Sequence, residues 1–174
     1  MKQLRLPLST KQIKTLKAGD IVYLSGKIYT ARDAAHQRLY NMIHRGETLP
    51  FPLKDACIYY TGPCPKKPGQ VINSCGPTTS SRMDKYAPVL YDMGVRCVIG
   101  KGPVASSVVK AIVRNDAVYF AATGGAGALI AGCVRRVEPV AFLKLGAEAV
   151  QRLTVKDFPL IVAVDSFGSS VYKQ

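Results

Sequence analysis

The sequence predicts a layered α/β domain with a mixed sheet, and three observations carry that prediction. Segments that read as helices and strands alternate along the chain, the first third is rich in strand-forming residues, and residues 95–99 and 160–164 are short apolar runs suited to buried strands. A regular doubly wound fold would not concentrate its strands so early. At 174 residues, with 48% hydrophobic and 20% charged residues, the chain has the composition of one globular domain able to bury a core. Residues 1–18 read as an N-terminal strand and helix extension, and 19–174 as the domain proper.

In order, residues 4–8 read as an edge strand with Pro7 at its margin, and 9–17 as a short helix closed by Gly19. Residues 20–29 are strand-rich, with Gly26 placed for a bulge or bend. Thr30-Ala31-Arg32-Asp33 then opens a helix. Thr30 is the expected N-cap, Asp33 the acid of a capping box, and Leu39, Tyr40 and Ile43 an inward stripe before Gly46. His36 and His44 read as hydrogen-bonding helix residues rather than metal ligands, because no second ligand type stands near. Residues 56–60 form a short strand, and the Pro- and Gly-rich loop 62–69 is too short to divide domains.

The run Asn73-Ser74-Cys75-Gly76-Pro77-Thr78-Thr79-Ser80-Ser81-Arg82-Met83-Asp84 reads as a strand end turning into a helix. Val71 and Ile72 supply the apolar run, Gly76-Pro77 ends it, and the hydroxyls of residues 78–81 can cap the first helical amides. Such a start favours an anion, to which Arg82 can add a forked donor; the plain alternative is a capped helix with a surface arginine. A helix over 88–93 ends at Gly94. The strand 95–99 delivers Gly100-Lys101-Gly102, whose glycines let backbone approach a ligand while the lysine points at it. Residues 104–113 form an amphipathic helix and 117–122 a strand. Thr123-Gly124-Gly125-Ala126-Gly127-Ala128 matches neither dinucleotide nor Walker A spacing, and reads as close backbone packing or ligand approach by main-chain amides. A strand over 134–137, a short helix over 146–153 and the strand 160–164 ending at Asp165 complete the chain.

The formal charge of +13, from 24 Lys+Arg against 11 Asp+Glu, invites an anionic substrate, an acidic partner, nucleic acid or a membrane surface. The cations are spread out and no nucleic-acid signature is present, so nucleic acid is disfavoured. No apolar run approaches the ~20 residues a membrane span needs, and the first residues lack a signal-peptide core, so a cytoplasmic protein without a membrane partner is expected. Five cysteines without a CxxC pair argue against a disulfide framework and against a self-contained metal site.

Three cations stand at element ends: Arg32, Arg82 and Lys101. Arg32 is placed against the dipole of its own helix, which suggests an anion outside it; the plain alternative is a solvated surface arginine. If the three converge they form a clamp for a small dicarboxylate, because a doubly charged ligand needs more than one cation. The chain therefore reads as a substrate-binding half whose chemical half lies elsewhere.

The run from Gly19 to His36, together with Gly76-Pro77-Thr78-Thr79-Ser80-Ser81-Arg82-Met83-Asp84, Gly100-Lys101-Gly102, Ala122-Thr123-Gly124-Gly125-Ala126 and Phe158-Pro159-Leu160-Ile161-Val162-Ala163-Val164-Asp165, closely resembles the β subunit of class I fumarase and L-tartrate dehydratase, the iron-sulfur hydro-lyases. The motifs match in order over residues 19–172. The resemblance implies a swivelling β/β/α domain that packs against a larger α subunit holding an oxygen-sensitive 4Fe-4S cluster, in an α2β2 assembly. It implies the tricarboxylic acid cycle reaction, reversible hydration of fumarate to (S)-malate, with Thr78 as base and Arg32, Arg82 and Lys101 holding the carboxylates. The family pattern more often has serine where Cys75 stands. L-tartrate dehydratase is the near alternative. A non-enzymatic basic module docking an acidic partner is the alternative of a different class, and it predicts that Arg32, Arg82 and Lys101 lie far apart.

Overall fold

The computed structural model describes residues 1–123 and 126–173. Its elements, in chain order, are β1 (Lys2–Arg5), α1 (Thr10–Lys14), β2 (Ile21–Thr30), α2 (Asp33–His44), β3 (Cys57–Tyr59), α3 (Ala87–Asp92), β4 (Cys97–Gly100), α4 (Ser106–Arg114), β5 (Val118–Ala121), α5 (Gly127–Ala131), β6 (Val134–Ala141) and β7 (Val150–Val164). Two 3-10 turns, Ser80–Met83 and Leu143–Glu148, lie between them.

Seven strands form one mixed sheet in the order β1-β2-β3-β4-β5-β7-β6. The pairs from β1–β2 through β4–β5 are parallel, while β7 runs antiparallel to β2, β5 and β6. Because the long strands β2 and β7 also pair, the ladder β2-β3-β4-β5-β7 returns on itself. Leu24, Ile28, Tyr59, Ile99, Phe120, Leu153, Phe158 and Leu160 form one core, joined by Ile13 of α1. The opposite side chains of the parallel strands, Ile58, Val98 and Tyr119, form a second core with Leu39 of α2, Leu90 of α3 and Ile112 of α4. Strands buried on both faces explain the continuous apolar runs in the sequence. The layered α/β architecture with a mixed sheet is as expected.

The N-terminal extension is built into this architecture. Ser9 caps α1 with a full capping box: Gln12 N–H donates to Ser9 Oγ at 3.1 Å and Ser9 N–H to Gln12 Oε1 at 2.9 Å. Ile13 and Leu16 are fully buried.

Two local expectations are corrected. The helix expected over 146–153 is instead the 3-10 turn and the first residues of β7. Leu153, Val155, Phe158, Leu160 and Val162 are buried at two-residue spacing, which slips by one residue at Lys156-Asp157, where Asp157 takes φ 53°. The slip is a bulge: Leu24 to Gly26 on β2 faces Val155 to Phe158 on β7. The irregularity expected at Gly26 is present, with the extra residue on the facing strand. Gly26 has φ 130°, and a Cβ there would stand 2.8 Å from Leu6 Cβ. Thr30, expected as a helix cap, is the last residue of β2, because pairing with Tyr59 of β3 extends that strand. Its Oγ1 accepts Gln151 N–H at 3.0 Å. Arg32 occupies the N-cap position and Asp33 is the first helical residue, so no capping box forms. Among the described residues, no helix is long and apolar enough to cross a membrane.

Candidate active site

The parallel strands β2, β3, β4 and β5 end at one edge of the sheet. Arg32 follows β2, Thr61 and Gly62 follow β3, and Lys101 follows β4.

Residues 75–78 are fastened across the end of β3 by three hydrogen bonds. Tyr59 OH donates to the Cys75 carbonyl at 2.5 Å, Thr61 Oγ1 to the Gly76 carbonyl at 2.7 Å, and Thr78 N–H to the Tyr60 carbonyl at 2.8 Å. Thr78 is half-buried. The chain then passes to β4: Thr79 forms a parallel bridge with Lys101, and Ser80 N–H donates to the Lys101 carbonyl at 2.9 Å. Arg82 follows in the 3-10 turn, with an exposed side chain.

The strand-to-helix reading of this run is corrected. Residues 71–78 carry no regular structure, and Ser80–Met83 is a single 3-10 turn whose N-cap, Thr79, makes no side-chain cap bond. The α-helix begins at Ala87, with Pro88 in its first turn. Of the hydroxyls that suggested caps, that of Ser80 is engaged elsewhere, its Oγ lying 2.8 Å from Tyr119 OH. Tyr119 OH in turn donates to the Gly102 carbonyl at 2.8 Å. One buried tyrosine thus connects the Arg82 turn to the Lys101 turn. Gly100 permits this contact, since a Cβ there would overlap Ser80 Oγ and stand 3.0 Å from Tyr60 Cδ2. Asp84 adds a further tie, its Oδ2 accepting Ala105 N–H at 3.1 Å ahead of α4. Burial raises the Asp84 carboxyl above its ordinary range. Positive potential here therefore belongs to side chains and not to a helix end.

Arg32 is held differently. Its Nε stands 3.8 Å from Asp33 Oδ1 and 3.9 Å from Glu148 Oε1, and among the described residues this buried nitrogen has no hydrogen-bond partner. A Cβ on Gly62 would be 2.9 Å from Arg32 Cδ and 3.0 Å from the Ala147 carbonyl, so the glycine makes room for the arginine stem. His36, fully buried, contacts the Arg32 carbonyl through Nδ1 at 2.8 Å. A carbonyl only accepts, so Nδ1 carries the proton. Burial lowers its pKa to about 4, against the opposing influence of the Arg32 carbonyl and Asp33. His44 makes the equivalent contact with Tyr40 at 2.9 Å, so both histidines bond within the helix as expected.

Thr78, Arg82 and Lys101 therefore belong to one stitched unit, and Arg32 stands at the next strand end but one. Neighbouring strands lie about 5 Å apart, so the ends of β2 and β4 are separated by roughly 10 Å. Gly62, Tyr119 and Glu148 were not singled out from sequence. Tyr119 lies inside an apolar strand with no local mark, and only the glycine preceding Pro63 hinted at a close approach. Of the Thr123–Ala128 run, residues 124 and 125 lie outside the described residues. Gly127 does show close backbone packing: a Cβ there would overlap Ser74 Oγ and stand 2.8 Å from Gly76 N.

A cavity of about 660 Å3 opens beside Gly146 and Ala147, lined by residues including Lys66, Ile72, Arg135, Arg136 and Gln151. It is adjacent to the Arg32 stem through Ala147 but is not lined by the four predicted residues. Among the described residues, no three His, Cys, Asp or Glu side chains are grouped to hold a metal ion. Cys57 and Cys97 are buried neighbours in the sheet, and burial pushes the Cys75 thiol up to about 11.

Comparison with known proteins gives this geometry a family. The family model described as Fumarase C-terminus matches residues 2–174. A protein of Methanocaldococcus jannaschii named "Putative L(+)-tartrate dehydratase subunit beta" is 46% identical over 173 residues, covering 96% of this chain and 89% of the relative. "Fumarate hydratase class I, aerobic" of Salmonella typhimurium is 37% identical over 153 residues, covering 87% of this chain and 26% of the relative. The Escherichia coli protein of the same name is 34% identical over 176 residues, covering 100% of this chain and 31% of the relative. The chain thus spans most of the archaeal subunit and about a third or less of these fumarate hydratases. It belongs to the Fumarase C-terminus family.

Proposed function

We propose that the chain is the β subunit of a two-subunit iron-sulfur hydro-lyase that interconverts fumarate and (S)-malate, supplying the carboxylate clamp and the base. The observation that carries this reading is the Thr79–Lys101 bridge, which brings the segment bearing Thr78 and Arg82 onto the end of the strand bearing Lys101. That placement supports the clamp over a basic docking module, which expects the cations to lie far apart.

In this reading Arg32, Arg82 and Lys101 bind and orient the two carboxylates. Thr78 Oγ takes the proton from the substrate carbon in the direction of water loss and returns it in the direction of hydration. A threonine hydroxyl is a weak base in water. The clamp cations favour its ionised form once a carboxylate of the partner subunit has taken the Oγ proton. When the alkoxide then removes the carbon proton, that electron pair forms the C=C bond, and the hydroxyl on the neighbouring carbon leaves as water with the proton held by the partner's acid. The resemblance implies a 4Fe-4S cluster as Lewis acid; among the described residues the cysteines and acids are not grouped to hold one, and the cluster is assigned to the α subunit. An α2β2 assembly in the cytoplasm is part of the same proposal.

A second reading, β subunit of an L-tartrate dehydratase, is favoured by the high identity to the nearly coextensive archaeal relative carrying that name. The test is co-expression with the cluster-bearing subunit under anaerobic conditions, followed by side-by-side assay of fumarate, malate and L-tartrate. Fumarate turnover that collapses in Thr78→Ala supports the first reading. Exclusive tartrate turnover selects the second, and full activity in Thr78→Ala rejects the assigned base.

A further inference from the structure

We propose that Glu148 is a positioning residue that tempers the charge of Arg32 and so sets how tightly the site holds an anion; the inference rests on the proposed carboxylate-binding role of Arg32. Glu148 ends the turn between β6 and β7, a turn with Phe142 at φ 56° and Gly146 at φ 61°. That turn reaches back over the sheet edge to the start of α2. One oxygen of Glu148 serves two groups there. It accepts Ala34 N–H at 3.2 Å, satisfying an amide of the first helical turn, and it stands 3.9 Å from Arg32 Nε. Asp33 Oδ1 flanks the same nitrogen at 3.8 Å.

Both separations are too long for hydrogen bonds, and Arg32 Nε and Asp33 Oδ1 are buried without partners among the described residues. The guanidinium is therefore balanced in charge while its donors are not consumed. A close, forked pair would compete directly with a ligand carboxylate. An arginine with no acid beside it would hold an anion more tightly and release it more slowly. The arginine stem packs against Gly62, where a Cβ would stand 2.9 Å from Arg32 Cδ, so the acid changes potential more than it changes position.

Glu148→Gln separates these roles. The amide oxygen can still accept Ala34 N–H, so the start of α2 is preserved while the charge is removed. In the assembled enzyme, E148Q is expected to lower KM and the inhibition constant for succinate, a saturated four-carbon dicarboxylate, by about three- to tenfold, as expected for one charge removed near an anion at moderate screening. Inhibition should also weaken more steeply with added salt in E148Q than in the parent. Glu148→Ala, which loses the amide bond as well, should lower the thermal midpoint, while E148Q keeps it. A succinate inhibition constant unchanged or raised in E148Q overturns the proposal. Arg32→Gln is the control. If it weakens succinate binding while E148Q changes nothing, only the role of Glu148 fails; if Arg32→Gln itself leaves succinate binding unchanged, the clamp reading fails with it.

Discussion

Arg32 and Lys101 follow parallel strands two apart in one sheet, yet the molecule holds them by opposite means. On the β4 side, backbone and buried hydroxyls do the holding: Ser80 N–H on the Lys101 carbonyl, and Tyr119 OH between Ser80 Oγ and the Gly102 carbonyl. On the β2 side, Arg32 Nε lies between two carboxylates at 3.8 and 3.9 Å without a hydrogen bond to either. The first wall is rigid by construction, since breaking it exposes unsatisfied buried groups. The second is held by charge balance, which is adjustable and sensitive to salt. A site with one fixed and one adjustable wall can orient a ligand and still release it.

The largest effect expected falls on the rigid wall. Thr78→Ala should lower turnover of the assembled enzyme by about 10²- to 10⁴-fold, the usual contribution of a positioned base, with little change in thermal midpoint because the bond from Thr78 to the Tyr60 carbonyl uses its backbone. A comparable loss of stability would show that Thr78 serves the fold and not the chemistry.

The adjustable wall should reveal itself through pH. His36 is buried neutral beneath Arg32, with a pKa lowered to about 4 from 6.5. Below pH 6.5 the unfolded chain takes up this proton before the folded one, so stability falls as pH drops from about 6.5 towards 4, by up to about 3 kcal/mol. Urea unfolding at pH 7 and pH 5 measures the slope, and His36→Gln should flatten it.

Two substitutions test how much of the rigid wall depends on close contact. Gly100→Ala places a Cβ on Ser80 Oγ and should cost about 1–3 kcal/mol of stability, together with activity, as overpacking does. Tyr119→Phe keeps the ring but removes the hydroxyl bridge. It should cost about 1–2 kcal/mol in denaturant unfolding and raise KM, since the Lys101 turn then loses its tie to the Arg82 turn. If Tyr119→Phe leaves KM and stability unchanged, the two walls do not differ in the way described.

Much of this arrangement was legible in the residues. The apolar runs before Lys101 and at the end of β7 and the helix ahead of Gly94 follow from patterning that acts over a few neighbours. The positions of Arg32 and Lys101 at element ends were read from the same local punctuation. The misreadings arose where distant contacts outweighed local preference. Thr30 has the chemistry of a cap but is drawn into β2 by Tyr59 and Gln151, and residues 150–153 look helical until β2 and β6 are laid beside them. The hydroxyl cluster at 78–81 suggests helix capping, but at Ser80 that potential is taken up by Lys101 and Tyr119 from other strands.

The sequence alone determined the layered α/β class, the alternation of elements and the identity of the residues carried by the motifs, because periodicity, turn chemistry and charge act over short separations. Only the tertiary structure decided that β2 and β7 close the sheet upon itself, that the segment bearing Arg82 is a 3-10 turn bridged to a strand end and not a helix start, and that Glu148 meets Arg32 across 116 positions of chain. Those outcomes depend on which distant backbone groups satisfy one another, and that choice is made only when the whole ladder of hydrogen bonds forms together.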